Sequence, residues 1–64
     1  MPLHIALNIY RAWSRWDCST ETALVAWGRF EREAQAAGDG FAAGVIQTMM
    51  HEARGFPALL EPAL

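Results

Sequence analysis

One cysteine, Cys18, and no lysine occur in the 64 residues of this chain. A single thiol cannot close a disulfide within one chain. The two histidines, His4 and His51, lie far apart in sequence, without the close ligand pairs that zinc sites show. The expectation is no metal and no cofactor, at a length where one core supplies only about 3 to 5 kcal/mol unless something staples it. A dominant charge is lacking too: seven acids face five basic residues, all arginine, for a net charge of −2. Bulk electrostatics therefore makes nucleic acid a less favoured partner. The longest stretch without Asp, Glu or Arg, Gly40 to His51, is too short to cross a bilayer, and the first ten residues lack the basic start of a signal peptide. The expectation is a cytoplasmic protein, no membrane partner, and a reduced Cys18.

What the chain does have is apolar surface. AVILMFWYC residues make up 53% of it and glycine adds five more positions, above the roughly 45 to 50% of an ordinary globular domain. A small domain has too much surface per residue to hide such an excess. A homo-oligomer or a permanently bound partner is therefore expected. The all-arginine, alanine-rich make-up fits a GC-rich genome, bacterial or phage.

Residues 1–64 read as one small helical domain. Leu3 to Trp16 carries a helical pattern in which His4, Asn8, Arg11 and Arg15 fall on one narrow stripe. Ile5, Ile9, Ala12, Trp13 and Trp16 lie to one side of it and Leu3, Ala6, Leu7 and Tyr10 to the other. The same start also alternates with period two, Leu3, Ile5, Leu7 and Ile9 against His4, Ala6, Asn8 and Tyr10, which is a strand pattern. The helical pattern runs longer and is preferred.

The polar cluster Asp17-Cys18-Ser19-Thr20 reads as a loop ending in an N-cap. A second helix follows from about Glu21 to Ala37, with Ala23, Trp27, Phe30, Ala34 and Ala37 on its inner stripe. Gly38 ends it and Asp39 caps a third helix, about Gly40 to Arg54. So short a connection predicts that helices two and three form an antiparallel hairpin. On the third helix Phe41, Ala42, Val45, Ile46, Met49, Met50 and Ala53 cover an arc of roughly 200°. Gly55 stops it, and the tail from Phe56 to Leu64 is expected to form at most one turn, with Phe56, Leu59 and Leu60 docked on the core. The fold class is thus all-α: one helix, an antiparallel helical hairpin and a short C-terminal turn, in an oligomer. The alternative is a ribbon-helix-helix chain with an N-terminal strand.

No residue set here suits catalysis. Cys18 beside Asp17 has no base at a meaningful spacing, so the chain is expected not to be an enzyme. The candidate partner-binding residues are His4, Asn8, Arg11, Trp13, Arg15 and Trp16. Arginine grips carboxylates and phosphates with two parallel bonds, and tryptophan beside arginine makes binding hot spots. Ile46, Met49 and Met50 are the candidate oligomer interface, because thioether side chains repack around partners, although the methionine pair equally suits a core.

These features point to a protein-interaction module that engages a partner protein. In size and composition only, the chain is similar to small phage and mobile-element inhibitors of host machinery, anti-CRISPR proteins among them. The alternative, tied to the strand, is a small dimeric DNA-binding regulator of ribbon-helix-helix type that reads the major groove with His4, Ala6 and Asn8.

Overall fold

A computed structural model describes residues 2–55; the tail expected to turn and dock through Phe56, Leu59 and Leu60 lies outside them. Three helices make up the described residues: α1 (Pro2–Ser14), α2 (Thr20–Ala36) and α3 (Gly40–Ala53). No strand occurs among these residues. The strand alternative for Leu3–Tyr10 is overturned, since this segment lies within α1. The reason is tertiary. Ala6, which a strand would have turned toward a groove, is fully buried, and its carbonyl accepts a hydrogen bond from the Trp27 indole at 3.0 Å.

Each helix boundary has a local cause. Ser19 caps α2, its hydroxyl oxygen accepting from the Thr22 N–H at 3.2 Å, and Asp39 caps α3 by accepting from the Ala42 N–H at 3.0 Å. Each satisfies a donor that the first helical turn leaves free. Helix α2 ends in a Schellman motif: Gly38 N–H bonds to the Gln35 carbonyl, Asp39 N–H to the Ala34 carbonyl, and Gly38 sits at φ +74°. Gly55, at φ +90°, occupies the corresponding place after α3.

Helix α1 stops two residues short of the expected Trp16, by the same motif. Trp16 N–H bonds to the Trp13 carbonyl at 3.1 Å and Asp17 N–H to the Ala12 carbonyl at 2.8 Å. The left-handed position, φ +66°, is here held by a tryptophan. A side chain with a Cβ gives up about 1 to 2 kcal/mol to stand there.

The core has two parts. Ala6, Ala23, Trp27, Ile46, Met49 and Met50 form the larger cluster, with Ile9, Tyr10, Trp13, Leu24 and Phe30 leaning on it. Ala34, Ala42 and Ala43 form the smaller one under Leu3. On α1 the inner side is therefore Leu3, Ala6, Ile9, Tyr10 and Trp13, leaving Ile5 and Leu7 outside. Along α2 the expected stripe holds at Ala23, Trp27 and Ala34, is half-buried at Phe30, and fails at Ala37, which is exposed as the C-cap. Phe41 is the clearest departure on α3: it is 76% exposed. It sits about 140° around the helix from Ile46, at the far edge of the apolar arc.

Candidate partner-binding face

The features with chemistry sit on α1 and in the turn that follows it. His4, Asn8, Arg11 and Arg15 are all exposed. The interval of three or four residues that put them on one stripe in sequence keeps His4, Asn8 and Arg11 on one side of α1, while Arg15 lies in the turn after the helix. The sequence of α1 contains no acid, so its arginine meets no opposing charge within the helix. Exposed Ile5 and Leu7 are the apolar neighbours of this stripe. Beyond the helix, Arg15 Nε stands 4.0 Å from Asp17 Oδ2 with both side chains about 70% exposed. An ion pair that wet contributes little to stability and leaves both groups open to another partner.

The two tryptophans expected in this face part company. Trp16 is 94% exposed and stands in the strained turn. Trp13 is half-buried: its Nε1 donates to Thr20 Oγ1 at 2.9 Å, and its ring lies 5.7 Å from Tyr10 and edge-on to Trp27 at 6.0 Å. Trp13 fixes the α1 to α2 junction and belongs to the interior. A tilted contact of 6.3 Å between Tyr10 and Trp27 closes the aromatic triangle. The Tyr10 hydroxyl then donates to the two Glu52 carboxylate oxygens at 3.0 and 3.1 Å, tying α1 to α3.

Ile46, Met49 and Met50, the expected oligomer seam, are buried in the chain's own larger cluster, which matches the core reading of the methionine pair.

Cys18 is half-buried, its Sγ 3.6 Å from the Ser19 carbonyl, and it leans on the core cluster. His51 is half-buried on α3, while His4 faces solvent on α1. Among the described residues no three or more His, Cys, Asp or Glu side chains converge as a metal site, and no helix is long and apolar enough to cross a membrane.

The outer side of α2 carries Glu21, Thr22, Val25, Ala26 and Arg29 around a shallow patch open to solvent. Arg29 and Glu21 read there as an ordinary solvated face. Val25, an apolar residue on that same face, is 63% exposed.

Comparison with protein-family models, curated proteins and solved structures finds no match to this chain.

Proposed function

We propose that this chain is a non-enzymatic protein-interaction module whose α1 face binds the acidic surface of a partner protein. One observation carries the reading: His4, Asn8 and Arg11 are exposed along a helix that contains no acid, beside exposed Ile5 and Leu7, in a chain whose net charge is negative. Local positive charge on an otherwise acidic protein favours a negatively charged protein partner, and apolar neighbours supply the burial that charge alone does not. Nucleic acid would be served by a broader cationic surface than two or three side chains provide.

Binding of this kind would take place in the cytoplasm. Among chains similar in size and make-up, one form of it is the block of host machinery by phage and mobile-element proteins, and the identity of the partner tests that form directly. The experiment is affinity capture from host lysate with tagged wild type and with a His4→Glu, Arg11→Glu double variant. The wild type is expected to retain one stoichiometric protein. The variant is expected to lose it with helicity and melting temperature nearly unchanged, since both side chains are exposed. Equal capture by both would refute the α1 face as the site.

A further inference from the structure

The ends of α1 and α3 share their backbone bonds. After α1, Arg15 N–H bonds to the Ala12 carbonyl at 3.2 Å and Trp16 N–H to the Trp13 carbonyl at 3.1 Å, with Trp16 left-handed. After α3, Arg54 N–H bonds to the His51 carbonyl at 3.2 Å and Gly55 N–H to the Glu52 carbonyl at 3.0 Å, with Gly55 left-handed. Behind Trp16 and behind Gly38 the motif closes on a last bond from the next residue to the carbonyl five positions back: Asp17 to Ala12 and Asp39 to Ala34, each at 2.8 Å. The residue that follows Gly55 is Phe56, and five positions back from it is His51.

The residue in that closing position differs at the three ends. Aspartates hold it after α1 and α2, and a phenylalanine holds it after α3. An apolar residue there packs back on the last turn of the helix it follows. That turn of α3 is apolar on its inner side: Met50 is part of the larger core cluster and Ala53 packs against it. Tyr10 stands level with it through its bond to Glu52, and His51 is half-buried. Pro57 adds a constraint of its own, since the residue before a proline is driven to extended backbone and away from helix.

We infer that Phe56 closes this third motif, its N–H bonded to the His51 carbonyl and its ring seated on His51 and Met50 at the end of α3. The occupant of this end of the bundle is then the chain's own segment after Gly55, in place of a second copy or a partner protein. Part of the apolar excess that called for an oligomer is taken up within one chain. The contact uses none of His4, Asn8 and Arg11, so it goes beyond the partner-binding reading and does not depend on it.

Amide hydrogen exchange of the purified full chain, read residue by residue by NMR, tests the bond against two internal standards. The Asp17 and Asp39 amides make the equivalent bond, and the Phe56 amide is expected to be protected as they are. The ring is tested by melting temperature, with Phe41, which is 76% exposed, as the control. Phe56→Ala is expected to lower it by at least about 5 °C, Phe56→Leu by less because an apolar contact remains, and Phe41→Ala hardly at all. Exchange of the Phe56 amide at the free-peptide rate, or a Phe56→Ala chain that melts with the wild type, would overturn the inference. A wild-type melting temperature that rises with protein concentration, where that of Phe56→Ala does not, would give the ring to a second copy and overturn it as well. Each of these results leaves the α1 capture experiment untouched.

Discussion

At the end of the molecule where α1 turns into α2, the rings of Tyr10, Trp13 and Trp27 meet and Trp16 stands in the turn. At the end where α2 turns into α3, Ala34, Ala42 and Ala43 meet under Leu3, and Gly38 holds the equivalent position in the turn. The two turns close with the same pair of backbone hydrogen bonds. Their materials differ: large rings, an interhelical hydrogen bond and a strained exposed tryptophan at one end, methyl groups and a relaxed glycine at the other. The alanine end is optimised for close approach of helices. The aromatic end carries the larger side chains, and it departs from the least strained choice at Trp16, which is 94% exposed.

That contrast can be broken most severely at Trp27. Trp27→Ala removes a fully buried ring and its bond to the Ala6 carbonyl, and a cost of about 3 to 5 kcal/mol is expected. This rivals the whole core of a domain this small, so circular dichroism should report a largely unfolded chain at 25 °C.

At the other end the expected failure is overpacking. Ala42 is 1% exposed between α2 and α3, and Ala42→Leu should cost about 1 to 3 kcal/mol, read as a lower urea midpoint. An unchanged midpoint would mean that the alanine end has room the packing does not suggest.

The smallest effect sharpens the comparison most. Gly38→Ala places a Cβ at φ +74° and should destabilise by about 1 kcal/mol. Trp16→Gly, at the same position of the same motif, should move thermal stability in the opposite direction. Effects of one sign at the two turns would remove the case that Trp16 is held against a backbone preference.

Much of the fold could be read from local chemistry. Asp39 was legible as a cap, and Gly38 and Gly55 as stops, because capping depends on a few adjacent residues. The Asp17–Thr20 cluster was legible as a loop ending in a cap, which the structure places at Ser19, one residue earlier than a helix from Glu21 implies. The end of α1 was not, since nothing local marks a tryptophan as the residue that will take a left-handed position. The cationic stripe was legible from spacing alone, and the structure leaves all four of its members exposed. Trp13 and Trp16 could not be told apart. Both border arginine, and only the approach of Thr20 and Trp27 draws one of them inside.

The sequence by itself determined α2 and α3 and, to within a residue, where they start and stop, because periodicity and capping are properties of neighbouring residues. That Leu3–Tyr10 is helix and not strand was decided by the packing of Ala6 under Trp27. Only the tertiary structure decided which part of each broad apolar arc is core. On α3 an arc of roughly 200° offers more surface than one seam covers. The mutual placement of the helices took Ile46, Met49 and Met50 inward and left Phe41 out, and on α2 it left Val25 exposed.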